Sequence, residues 1–174
     1  HFRKGPGWYR DQFAGDEQAV WLDASPTYTL APLRHPRPDD PYRAVPGRLK
    51  ALAPDARFIY VLRDPVERTY SGYWHAVRHG VEKRPFPDAY MDPCQAYLDG
   101  SDYAGQLELW LEHFPQAAFL LLDFAELKAS PARVVNRCLE FMGLEPANEV
   151  PTDVVRNPGG RVGWIGRRMN RVMT

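Results

Sequence analysis

Two stretches of this chain are apolar without interruption, "RFIYVL" (57–62) after its arginine and "AAFLLLD" (117–123) up to its aspartate. A strand with one wet face alternates apolar and polar residues. A continuous run of this length instead suits a strand buried on both faces, as in a parallel sheet covered by helices. A buried helix segment reads the same way, but "PDA" precedes the first run and "FPQ" the second, and these turn signals favour strands. A third short run, "AVWLDAS" (19–25), closes on small polar residues and is also expected to be strand-like.

Helical signals fill the spaces between the runs. "PVERTYSGYWHAVRHG" (65–80) has Asp64 as N-cap, Pro65 at the first helical position and Gly80 as a stop. "SDYAGQLELWLEHF" (101–114) carries a stripe of Leu107, Trp110, Leu111 and Phe114. "SPARVVNRCLEFMGL" (130–144) repeats the logic with Ser130, Pro131 and Gly143. In "PYRAVPGRLKAL" (41–52) a short helix is expected only toward the end, because Pro46 and Gly47 disfavour an earlier start. Residues 80–100, rich in Pro and Asp, read as a loop with one helical turn. Residues 151–163 read as another loop, followed by a closing amphipathic helix. This order predicts one α/β domain of the doubly wound kind over residues 1–174.

Composition narrows the function. Net charge is zero, so no global field draws nucleic acid or acidic membranes. After Asp153 every charged residue is an arginine, and this basic tail is either a solvated face or an anion-facing one. Cys94 and Cys138 fit no metal or redox spacing, and no apolar run is long enough to span a membrane. A cytoplasmic location is the default expectation.

The chemistry concentrates where the 57–62 run ends. Ligands of open α/β sheets bind beyond the carboxyl ends of the strands, and Arg63 stands at that edge. Its fork of donors suits a phosphate or sulfate, and the following helix N-terminus favours negative charge. At about 100° per residue, Arg68, Ser71, His75 and Arg78 share one helix face, so a serine two turns in can complete an oxyanion cradle. The alternative is that Arg-Asp-Pro is only a well-capped turn with Arg63 paired to a carboxylate.

The segment "RFIYVLRDPVERTYSGYWHAVRHG" resembles the 3'-phosphate-binding segment of sulfotransferases that use 3'-phosphoadenosine 5'-phosphosulfate (PAPS), above all the heparan sulfate N- and 3-O-sulfotransferase branch and its bacterial relatives. "HF…GWYRDQF" (1–13), "WLDASPTY" (21–28), "GSDYAGQLELWLEHFPQAAFLLLDFAEL" (100–127) and "ASPARVVNRCLEFMGL" (129–144) resemble further family segments in the family's order. The resemblance implies a P-loop-NTPase-like parallel sheet flanked by helices, with sulfuryl transfer from PAPS to a hydroxyl or amine of a carbohydrate or small molecule, without a metal. It places Arg63 and Ser71 on the 3'-phosphate and His1 at the reacting centre. "NPGGRVGW" (157–164) resembles the family's late nucleotide-covering loop, which brings in Gly160 and Arg161. For that last segment, a turn into an exposed basic helix stays open.

Two departures stand out. The family's phosphosulfate loop, its central first strand and the glutamate base expected two positions before His1 would all lie upstream of residue 1, so the chain is expected to be a fragment. The family's Glu-Lys-Ser-Pro motif reads Asp23-Ala24-Ser25-Pro26 here, and the lysine that faces the sulfuryl group is replaced by Ala24. Two alternatives follow. One is a nucleotide kinase-like phosphotransferase, for which Asp23 or Asp123 would have to hold Mg²⁺. The other is a nucleotide- or glycan-binding module with impaired catalysis. Trp8, Tyr9, Tyr28, Tyr73 and Trp74 are candidates for acceptor stacking or for core packing, and the 80–100 loop, with Glu82, Phe86 and Tyr90, is expected to border the acceptor.

Overall fold

The two uninterrupted apolar runs pair with each other. In the computed structural model, which describes residues 5–13, 20–25, 27–36, 39–92 and 96–151, helices α1 (Gly5–Asp11) and α2 (Val45–Leu52) precede strand β1 (Phe58–Leu62). Helices α3 (Pro65–Arg78), α4 (Phe86–Met91), α5 (Ala96–Asp99) and α6 (Tyr103–Leu111) then cross over to β2 (Phe119–Asp123), and α7 (Phe124–Ala129) and α8 (Pro131–Met142) follow. The strands are parallel, in register from Phe58 opposite Phe119 to Leu62 opposite Asp123. Parallel pairing demands such a long connection. The architecture is the expected one, a parallel sheet flanked by helices.

Local chemistry sets the helix ends. The Asp64 carboxylate accepts the Glu67 backbone N–H at 2.8 Å, closing the first turn of α3 behind Pro65. Asp102 does the same for α6 through Gly105 N–H at 3.0 Å. Helix α8 stops at Gly143, whose φ of +79° is the left-handed cap that glycine adopts without penalty. Ser130 flanks α8 as expected but makes no side-chain cap. Helix α2 begins at Val45, earlier than expected: Pro46 lies in the first turn, where a missing N–H costs nothing. Gly47 is tolerated for another reason, since a Cβ there would stand 3.3 Å from the His113 ring.

The core is aromatic. Val45, Trp110 and Phe114 are buried together, with Phe58, Phe119, Tyr28 and Leu49 packed around them. The Phe58 ring stacks on Phe119 at 4.8 Å and meets Trp110 and Phe114 edge-on at 4.9 and 4.7 Å. Burying each such ring contributes on the order of 2 kcal/mol.

Four expectations need correction. The 19–25 run forms no strand in its described residues: Val20, Trp21 and Leu22 are 47%, 47% and 69% exposed. A strand exists only through a paired neighbour, and β1 and β2 pair only with each other among the described residues. Nor is β1 covered on both faces there, since Ile59 and Val61 point away from the packed side. The 101–114 helix ends at Leu111, leaving that leucine exposed while Phe114 enters the core from the following turn. Residues 80–100 hold two short helices, α4 and α5, rather than one turn. No helix among the described residues is long and apolar enough to cross a membrane.

Candidate nucleotide site at the carboxyl edge of the sheet

Arg63 follows the last residue of β1, and three contacts fix it. Its backbone N–H donates to the Tyr103 hydroxyl at 3.1 Å. Its guanidinium lies over the Phe124 ring at 5.6 Å, and Phe124 is the first residue after β2. The arginine is therefore held where both strands end. Third, Nε donates to Glu67 Oε2 at 3.0 Å, and Nη2 stands 2.9 Å from the same oxygen as an ion pair. The alternative of Arg63 as a carboxylate's partner is thus met in part, but that carboxylate faces solvent, with Glu67 59% exposed. Exposed pairs of this kind are worth about 0–1 kcal/mol and exchange readily.

The helix face expected beyond Arg63 divides. Ser71, His75 and Arg78 are solvent-exposed along α3. The His75 ring packs on His79 at 4.2 Å. Arg68 leaves this group. Its Nη1 donates to Ser101 Oγ at 3.3 Å and its guanidinium covers the Tyr103 ring at 5.9 Å, which ties α3 to the start of α6. The α3 N-terminus is also less open to an outside anion than expected, because Asp64 already accepts the Glu67 N–H. His1, Gly160 and Arg161 lie outside the described residues.

Asp23 and Asp123 each have protein partners. Asp23 accepts the hydroxyl of Tyr9 at 2.9 Å and that of Tyr28. Burial first, and then the Asp23 carboxylate, push the Tyr28 hydroxyl far above the ordinary phenol range, so it stays a proton donor. Asp123 caps α7 through the Ala125 N–H at 2.7 Å. Among the described residues no group of three His, Cys, Asp or Glu is placed to hold a metal.

The aromatic candidates also separate. Tyr73 is 1% exposed and belongs to the core, where Phe86 and Tyr97 meet it edge-on. Tyr9 and Tyr28 serve Asp23. Glu82 is buried and bound to Arg84, which holds the loop together. Tyr90, at 37% exposure, stays available.

Sequence reasoning missed Glu67, Tyr103 and Phe124. Glu67 had a readable signal, its i,i+4 spacing from Arg63. Tyr103 and Phe124 reach the site only through the crossover.

With this corner in place, comparison with known proteins becomes specific. The sequence profile of the sulfotransferase domain matches residues 23–158, which include β1, the Arg-Asp-Pro turn and α3. The chain belongs to the sulfotransferase domain family. Heparan sulfate glucosamine 3-O-sulfotransferase 3A1 of Mus musculus is 28% identical over 157 residues, covering 83% of this chain and 36% of that protein. The bifunctional heparan sulfate N-deacetylase/N-sulfotransferase of Drosophila melanogaster is 27% identical over 162 residues, covering 84% of this chain and 16% of that protein. The crystal structure of a sulfotransferase from Alicyclobacillus acidocaldarius superposes with a TM-score of 0.58 at 27% identity, over 67% of this chain and 51% of that one. The chain thus spans only a minor part of the curated relatives it matches. The kinase-like alternative gains nothing from these matches.

Proposed function

We propose that residues 1–174 form a single sulfotransferase domain that takes PAPS as donor and moves its sulfuryl group to a hydroxyl or amine of a carbohydrate or small molecule. The observation that carries this reading is the placement of Arg63 at the carboxyl edge of the sheet, inside the family-matched segment and held there by Tyr103 and Phe124. The names of the relatives, which act on heparan sulfate, favour a carbohydrate acceptor.

The transfer forms a bond from the acceptor's oxygen or nitrogen to sulfur and breaks the bond from sulfur to the phosphate oxygen, leaving 3'-phosphoadenosine 5'-phosphate (PAP). It requires an in-line acceptor and a leaving phosphate held in register. Arg63 meets the second need by charge-assisted hydrogen bonds to the 3'-phosphate, and Ser71 adds a hydroxyl to the same group. The resemblance assigns Gly160 and Arg161 to the nucleotide as well. The acceptor's proton goes to a base, and the resemblance puts His1 beside that base.

Titration calorimetry with PAP tests the site. Arg63→Ala should abolish binding while leaving the melting transition of the full chain unchanged, and undiminished affinity would sink the assignment. A second reading, a binding module with impaired catalysis, is favoured by Ala24 alone. Labelled PAPS incubated with a panel of sugars and phenols separates the two: transfer supports the enzyme, and nucleotide binding without transfer supports the module.

A further inference from the structure

Glu67 occupies a position that nothing in the proposed chemistry uses. It sits four residues after Arg63, which precedes the helix, and one helical turn before Ser71 on α3. Its carboxylate turns to Arg63 instead: Oε2 accepts from Nε at 3.0 Å and lies 2.9 Å from Nη2, facing that edge of the guanidinium. That edge of the guanidinium offers two parallel donors, the arrangement that grips a phosphate bidentately. The face of the guanidinium is held over Phe124 and the backbone of Arg63 is held by Tyr103, so the arginine is not free to offer the same edge elsewhere.

We infer that Glu67 sets the nucleotide affinity of this site: its carboxylate takes the donor edge of Arg63 that the 3'-phosphate needs, and the phosphate must displace it to bind. The inference rests on the reading of Arg63 and Ser71 given above. Bound phosphate exchanges for an existing ion pair, so part of the Arg63 contribution is cancelled. Displacement is easy on the protein's side. The glutamate is 59% exposed and can turn into water, whereas the arginine is more enclosed at 36%. Glu67 is thus an affinity-setting residue and not a catalytic one.

The test is calorimetric titration of PAP into four versions of the full chain: the natural sequence, Glu67→Gln, Arg63→Ala and the double variant. Release of an exposed ion pair predicts that Glu67→Gln binds PAP more tightly, by about two- to fivefold. That gain should vanish in the Arg63→Ala background. A glutamate with a merely structural role cannot raise affinity when it is removed. Glu67→Ala is the second variant, since alanine is the strongest helix former and suits an exposed position on α3. If both Glu67 variants bind PAP equally or less tightly while Arg63→Ala loses binding, the inference is overturned and the site stands. If Arg63→Ala binds as the natural chain does, the site itself is refuted and this inference with it. A Glu67 gain that persists without Arg63 also overturns it, because the effect then bypasses the arginine.

Discussion

The phenolic oxygen of Tyr103 accepts the backbone N–H of Arg63 at 3.1 Å, across a sequence separation of 40 residues. It thereby pins the last turn out of β1 to the first residue of α6. The Tyr103 ring lies edge-on to Tyr60 at 5.6 Å and beneath the Arg68 guanidinium. One side chain thus locates both arginines of the corner, one through its hydroxyl and the other through its ring.

Tyr103→Phe separates these two roles. The ring stays under Arg68, and only the acceptor for the Arg63 N–H is lost. Leaving that half-buried donor unpaired costs about 1–2 kcal/mol, read as a lower urea midpoint with an unchanged slope. Because the Arg63 backbone is no longer tied, PAP affinity should fall several-fold beyond what Tyr60→Phe produces. Equal affinities for the two variants would show that Tyr103 only packs.

Gln106 makes a stronger prediction. It is fully buried, its Oε1 accepts the Ala31 N–H at 3.2 Å, and its Nε2 donates to the carbonyls of Ala31 and Asp99 at 2.8 and 3.0 Å. One amide thus satisfies a distant stretch of main chain in both senses. Gln106→Leu keeps the volume roughly constant but orphans three buried backbone groups. The expected loss is about 3 kcal/mol or more, measured by equilibrium urea unfolding. Gln106→Glu should be no better, since it turns a donor into an acceptor opposite two carbonyls.

Gly143 isolates a purely conformational cost. Its φ is +79°, its N–H donates to the Glu140 carbonyl at 2.9 Å, and an added Cβ would meet nothing within 4 Å. Gly143→Ala should therefore destabilise by only about 1 kcal/mol, from the left-handed backbone alone. A loss several times larger in a melting experiment would contradict the open surroundings of that turn.

What the sequence made legible was local. Asp64 and Pro65 announce α3, Gly143 announces the end of α8, and the apolar runs announce β1 and β2, because each signal acts within a few residues. The position of Arg63 followed directly, being one step past a strand. Its partners did not. Tyr103 and Phe124 are brought in by the crossover, which no local pattern encodes, and Glu67 is legible only as a spacing from Arg63. The apolar run at 19–25 misled for the opposite reason: its composition suits a strand, but pairing is a property of neighbours. Glu82 misled similarly, since its burial depends on an arginine folding back over it.

That last pair gives a pH prediction. Glu82 Oε1 accepts Arg84 Nε at 3.0 Å and the backbone N–H groups of Arg84 and Lys83 at 2.9 Å each, while Oε2 accepts Arg84 Nη2 at 2.8 Å. Arg84 in turn reaches Asp92 at 2.6 Å, and its carbonyl accepts the Tyr73 hydroxyl at 2.9 Å. The Arg84 side chain first, and then the Arg84 backbone N–H, outweigh the opposing effect of burial and hold the Glu82 carboxyl down to about 2. The folded value lies below the ordinary glutamate value of about 4.3 that the unfolded chain shows. The charged form is therefore favoured by folding, and its stabilisation is complete above that ordinary value. It is lost as the pH falls from about 4 toward about 2. Glu82→Gln should already be less stable at pH 7, and its stability should decline less than that of the natural chain between pH 5 and pH 2.5. Urea midpoints measured at half-unit steps read this directly, and two parallel curves would show that the Glu82 carboxylate gains nothing from Arg84.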